Sequence, residues 1–398
     1  MMQFLHVQFQ LSAVLLFFLW YSVLASRRKS SFIVCVGTPM IPDFYVLVFF
    51  YLFFLKVANL IIKFANFIGN YIGGKMFDRL GGHKTALINA SIALLALIGL
   101  IINHDWPAFP IFLSMLGFGI GGTYTVINSS VAFIEGIDRY KVFNNIYMGS
   151  KTGSLIGTTI CSVIVGIQIS LVFVADFICV LSFLVMAYFL YNNPAKISKK
   201  EPAKKISFKW KLTPGIGWII LFLGMTWIVN SQWGSNISTH LTDIGVPVGK
   251  YSFLWTINSL IVMAFLPVLN HFAGKRDWFK KIQVALGVAL FIVALGSLVG
   301  STQYLSYAAG MVFLTLGEML VYPTVAALVS ETTPKSESGL YQSIVSMSEN
   351  FPKAIGPFLG GVLIEKSSYN TMFLLAMIML VLSLFVLWRA YKKLVWDR

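Results

Sequence analysis

Gly74-Lys75-Met76-Phe77-Asp78-Arg79-Leu80-Gly81-Gly82-His83-Lys84 is a short, charged, glycine-rich segment between two apolar runs, residues 47 to 73 and 85 to 103. Each run is long enough for a helix to cross a bilayer, which takes about 20 residues. Gly74 and Gly81 permit close helix approach and a tight reversal. Asp78 can accept hydrogen bonds from the N-terminus of a neighbouring helix, and Arg79 can pair with a carboxylate. A loop of this kind can latch one state of a moving pair of helices.

The same alternation of apolar run and short polar connection continues along the chain. Of 398 residues, 57% are hydrophobic and 11% charged, too little polar surface to cover a soluble globule. Runs at 4 to 25, 47 to 73, 85 to 103, 109 to 133, 145 to 167, 171 to 191, 215 to 239, 251 to 273, 281 to 300, 303 to 329, 339 to 364 and 369 to 390 predict about twelve transmembrane helices. Hydrophobic segments continue after the first, so it reads as a retained helix rather than a cleaved signal. The connection Asn192 to Pro214 carries seven lysines and three prolines. It predicts a basic linker at 192–214 between an N-terminal six-helix bundle, 1–191, and a C-terminal one with its tail, 215–398.

The net charge of +15 sits in separate interhelical clusters rather than on one phosphate-binding face, so no nucleic-acid partner is expected. With the N-terminus inside, the loops holding Lys75, Arg79, Lys84, Arg139, Lys141, the linker lysines, Lys275, Arg276, Lys335 and Arg389 are cytoplasmic. The outer loops after the third, fifth and ninth helices contain no Lys or Arg, which fits the positive-inside rule and puts both termini in the cytoplasm. Arg27, Arg28 and Lys29 break the pattern. Either the first helix begins later, behind an extra segment, or this end is abnormal.

The segment after the second helix resembles the signature loop of the major facilitator superfamily, Gly-x-x-x-Asp-Arg-x-Gly followed by basic residues. Gly82 and His83 replace the usual basic pair, and Lys84 follows one place later. A degenerate second copy, Asn270 with Gly274, Lys275, Arg276 and Asp277, follows the eighth helix, as internal duplication requires. Gly117, Gly119, Gly121 and Gly122 resemble the glycine-rich part of another motif of that family, although Ser114 and Met115 stand where its arginine often lies. Gly153 and Gly157 echo the antiporter motif loosely, without its proline. Gly356, Pro357, Gly360 and Gly361 in the eleventh helix are a better cognate, with packing and gating both open as roles. The resemblance covers roughly residues 47 to 390. It implies an all-α membrane protein, two pseudo-symmetric six-helix bundles around a mid-membrane cavity, and alternating access.

Glu318 is the only charged residue between Lys281 and Glu331 and falls near the centre of the tenth helix. Ionised in hydrocarbon, it would cost on the order of 2.5 to 3.5 kcal/mol, so it should face a cavity, find a partner or be protonated for part of a cycle. Its setting, Thr315 to Pro323, resembles the tenth helix of drug/proton antiporters, where an acid takes part in coupling; a structural hydrogen-bonded role is the alternative. Asp176, isolated nearer the outer end of its helix, is read as a coupling candidate or a partly solvated structural group. Glu349 is a third candidate, with Lys353 four residues on as a local neutralising partner.

Lys56, Asn59, Lys63, Asn66 and Asn70 recur at three- and four-residue spacing along one face of the second helix, expensive in lipid and reasonable against a wet cavity, unless Lys56 snorkels outward. Trp227, Asn230, Gln232, Trp233 and Asn236 in the seventh helix, with Trp255 and Asn258 in the eighth, suit amphipathic or cationic solutes through stacking and amide contacts. Interfacial anchoring is the competing role for the tryptophans. Asn258 is similar to an asparagine common in multidrug members of the superfamily.

Cys35, Cys161 and Cys179 read as packing residues without metal-ligand spacing, and no Walker loop or nucleophile-base pairing is present. No metal, cofactor or enzymatic activity is expected. The expected protein is a monomeric secondary active carrier in lipid, in the cell membrane, that exports a small-molecule substrate, an amphipathic compound or drug, against protons by alternating access. A proton symporter or facilitator for a nutrient or organic anion, and a non-transporting receptor or scaffold, are the alternatives.

Overall fold

The computed structural model describes residues 52–190 and 215–396, except 104, 106, 135, 137, 165–169 and 274–276. The first predicted helix, Arg27 to Lys29, Cys35, the linker and the core of the second loop copy lie outside the described residues. For Lys56, Asn59 and Cys161 only the backbone is described.

Every regular element among the described residues is helical. In chain order they are α1 Leu52–Leu80, α2 Gly82–Ile102, α3 Ala108–Ser130, α4 Arg139–Ile164, α5 Ser170–Leu190, α6 Ile216–Ser231, α7 Asn236–Asp243, α8 Val248–Ala273, α9 Asp277–Gly296, α10 Tyr304–Thr332, α11 Ser338–Lys366 and α12 Tyr369–Tyr391. Among these residues, seven helices are long and apolar enough to cross a membrane. Charges along α1, α4 and α11, such as Lys63, Lys151 and Lys353, lower the hydropathy of those three. The seventh predicted helix is broken: α6 stops at Ser231, and after a turn α7 resumes at Asn236.

Among the described residues two compact units form, one within 52–190 and 329–350, the other within 215–328 and 351–396. In the first, α3 packs against both α1 and α2, and α2 against α5. Lipid tails are as apolar as leucine, so association of such helices depends on close packing rather than on escape from water. The glycines of α3 supply it. A Cβ on Gly117 or Gly121 would strike the backbone of Ile62 or Asn66 in α1, and one on Gly119 would strike Asn89 and Ala93 in α2. Ile62, Ala93, Leu97, Leu113, Ile120 and Phe173 fill the layer around them. In the second unit, α12 packs on α6 and α9.

Candidate functional site

In the first unit, the signature segment joins α1 to α2. Gly81 has φ +83°, a left-handed conformation that L side chains seldom adopt, and the chain reverses there. Gly74, one helical turn before Asp78, lies backbone to backbone with Gly339: a Cβ on either would meet the carbonyl oxygen of the other. Asp78 uses this approach. Its Oδ1 accepts the N–H of Gly339 at 2.8 Å and its Oδ2 that of Leu340 at 2.9 Å, both in the first turn of α11. These N–H groups have no partner within their own helix, and the helix dipole favours a negative charge beside them.

Asp78 lies beyond the end of the second predicted span. Burial pushes its carboxyl up to about 7, outweighing the two backbone donors, and Glu337 adds to the rise. Arg79 and Lys84 are exposed. Arg139, at the start of α4, donates to the carbonyl oxygens of Ser330 and Ala132.

Asn66 and Asn70 of the polar face of α1 are directed at α3. Asn70 donates to Asn66 at 2.8 Å, and Thr125 of α3 donates to Asn70 Oδ1 at 2.9 Å. Both asparagines are buried, whereas Lys63 is half-buried. Asp176 is buried at 1% exposure rather than partly solvated, because α5 turns that residue inward. Glu349 is half-buried.

In the second unit, Glu318 of α10 is 2% exposed. Its Oε1 accepts the Nδ2 of Asn230 from α6 at 2.7 Å, and its Oε2 accepts the Nδ2 of Asn258 from α8 at 3.1 Å. Asn258 also donates to Thr315 Oγ1 at 2.8 Å, one helical turn before Glu318. An amide that gives both hydrogens to one acid and its neighbour holds that acid as an acceptor. The Oδ1 of Asn258 is buried and has no hydrogen-bond partner among the described residues.

One turn away on the same two helices, Trp227 of α6 stacks on Tyr322 of α10, with ring centroids 3.9 Å apart. Lys353 of α11 places its Nζ 3.7 Å from the Trp227 ring. Gln232 donates to the carbonyl oxygen of Gly356 at 2.9 Å, and Asn236 to that of Pro357 at 3.0 Å, so the break after α6 is tied to the proline-bent part of α11. Gly356 and Gly360 face Ser231 and Gln232 with no room for a side chain; Gly361 has only Asn236 near it. Trp233 is fully buried and packs on Gly310, while Trp255 is half-buried and donates to Tyr251 at 2.9 Å.

Glu318, Asn230 and Asn258 thus form one cluster, and Trp227 adjoins it. Sequence reasoning did not find Gly339, or Lys353 as the partner of Trp227. Gly339 gives only the weak signal of a glycine at a helix start, and the spacing of Lys353 points to Glu349 rather than to Trp227.

The sequence profile of the Major Facilitator Superfamily matches residues 57–351 and 284–396. The chain belongs to the major facilitator superfamily. It is 31% identical over 339 residues to an uncharacterized MFS-type transporter, YttB, of Bacillus subtilis (strain 168), which covers 83% of this chain and 85% of that one. Its fold is similar to that of the human organic anion transporter MFSD10, with a TM-score of 0.73 at 13% identity over 97% of this chain and 98% of that one. The proton:xylose symporter XylE gives 0.73 at 14% identity over 97% and 94%. This superfamily member is therefore an all-helical integral membrane transporter, not an enzyme.

Proposed function

We propose that this superfamily member is a secondary active carrier that exports amphipathic compounds by alternating access, coupled to protons through Glu318. The observation that carries the reading is the buried acid itself, with each carboxylate oxygen served by an amide from a different helix. Such a group costs least when those donors stay in place or when it takes up a proton, and alternating exposure gives it access to protons on each side. Asn230 and Asn258 position the acid, and substrate binding in the adjoining aromatic region is coupled to its protonation. Asp78, seated on the first turn of α11, serves as a latch whose release accompanies the change of state. The carrier works in the cell membrane as a monomer, with both termini cytoplasmic and two six-helix halves joined by the basic linker.

The test is flux of a substrate panel in proteoliposomes under an imposed proton gradient, with wild type and Glu318→Gln compared. Export predicts substrate movement against the proton flow, and loss of gradient-driven flux in the variant. Substrate movement with the protons would favour the symporter. Flux that keeps its pH dependence in Glu318→Gln would remove Glu318 from coupling.

A further inference from the structure

We infer that one face of α12 is a binding site for an anionic phospholipid, whose acyl chain lies along an apolar stripe and whose phosphate is held by Arg389 and Lys392. The inference concerns the carrier's contact with its membrane and does not depend on what the carrier moves. α12 has no charged residue from Tyr369 to Trp388, and its basic residues begin at Arg389. Leu374, Ile378, Val381, Leu382 and Phe385 recur at three- and four-residue spacing and are all exposed. Among the described residues, nothing packs over the stripe they make. The same spacing continues into Trp388, Arg389 and Lys392. Phe385 and Trp388 are 52% and 45% exposed, and Arg389 and Lys392 are exposed as well.

The order of chemistry along this face is that of a lipid. At about 1.5 Å per residue, Leu374 to Phe385 spans about 16 Å, roughly half of a hydrocarbon core about 30 Å thick, which is the reach of one leaflet's acyl chains. Aromatic rings come next, at the level where amphipathic rings sit, and the cations come last. The guanidinium of Arg389 lies 5.2 Å from the Phe385 ring centre and 5.4 Å from that of Trp388, and the Lys392 ammonium lies 6.0 Å from Trp388. These contacts hold both cations beside the apolar stripe. Leu394, 1% exposed, and the Lys393 stem pack on Gly215 just before α6, which fixes the end of the helix in place. Among the described residues no carboxylate pairs with Arg389, Lys392 or Lys393; Asp397, which follows, lies outside them. Cations at the edge of hydrocarbon with no acid between them favour a headgroup that brings net negative charge, whereas a zwitterionic one adds a cation of its own. A second copy of this chain suits the stripe less well. A two-fold contact sets the same patch against itself and would bring the two Arg389 and Lys392 ends together, like charge on like.

The test uses the full-length chain in phosphatidylcholine vesicles with about one lipid in ten phosphatidylglycerol, made in two versions of identical composition and surface charge. In one, the phosphatidylglycerol carries bromines near the headgroup end of its acyl chains; in the other, an equal amount of the phosphatidylcholine does. Bromine quenches indole on contact, and emission with Trp388 minus emission with Trp388→Phe, in each background, isolates that residue. Brominated phosphatidylglycerol should quench Trp388 at least about threefold more strongly than brominated phosphatidylcholine. Arg389→Gln combined with Lys392→Gln should abolish the difference. Lys141→Gln with Lys335→Gln removes the same charge from exposed positions elsewhere and should leave it intact. Equal quenching by both labels in wild type, a preference that survives the Arg389 and Lys392 changes, or one lost equally with Lys141 and Lys335 would overturn the assignment. So would a Trp388 that neither lipid quenches, the result expected if a second copy covers the face.

Discussion

Acidification should tighten the contact between Asp78 and α11, and Asp78→Asn should abolish that response. In the latched arrangement burial raises the Asp78 carboxyl from its ordinary 3.8 to about 7. Once released into water it returns to the ordinary value, so between these limits the latched form binds more protons than the released one. The sign follows by linkage: the contact is strongest below about pH 4, loses strength as pH rises, and levels off above about 7. Between pH 6 and pH 8 the two titrations differ enough to move the latch equilibrium about tenfold, or about 1.4 kcal/mol. Ser343 reports it, since it is buried against Gly74 in the closed contact. Ser343→Cys, with Cys35, Cys161 and Cys179 replaced, should react with N-ethylmaleimide at a rate set by opening. The ratio of that rate to the rate in the same protein carrying Asp78→Asn cancels the thiol's own titration. It should rise about tenfold from pH 6 to pH 8. A ratio that stays constant over this range would show that burial does not govern this carboxylate and refute the argument.

Other outcomes follow from individual contacts. Gly74→Val and Gly339→Val should each slow transport severely at normal expression, because either side chain meets the opposing backbone; normal flux would mean that the contact is dispensable. Asn258→Leu removes a hydrogen bond to a carboxylate, a contact worth about 1.5–3 kcal/mol, and should reduce proton-driven flux at least tenfold. Asn258→Asp should do no better, since an acid in that place cannot donate both hydrogens. Gly121→Ala should lower thermal stability by about 1–3 kcal/mol through overpacking against Asn66, as read from the melting of detergent-purified protein.

The periodicity of polar residues along one helix names a face without naming what the face meets. Asn66 and Asn70 illustrate this: their stripe was legible, and the expectation was a wet cavity, while the structure directs them to Thr125 and the glycine face of α3. Lys353 shows the same limit. Spacing of four points to Glu349 alone, and does not reveal that its ammonium also lies on Trp227 from a helix more than a hundred residues earlier. The signature loop carried more information, because glycine and aspartate at fixed offsets specify a reversal and an acceptor whatever the neighbour.

Sequence alone determined that the chain is a bundle of membrane-length helices, which loops carry the positive charge, where the reversal at Gly81 falls, and that Glu318 is the only charged residue between Lys281 and Glu331. Those follow from transfer energies and backbone sterics, which act locally. Only the tertiary structure decided that Asp78 meets the N–H groups of residues 339 and 340, that Asn230 and Asn258 hold Glu318, and that a lysine covers Trp227. In a bilayer most of each helix surface is apolar and neighbours are chosen by shape and by a few hydrogen bonds, so the partners across hundreds of residues appear once the backbones are in contact.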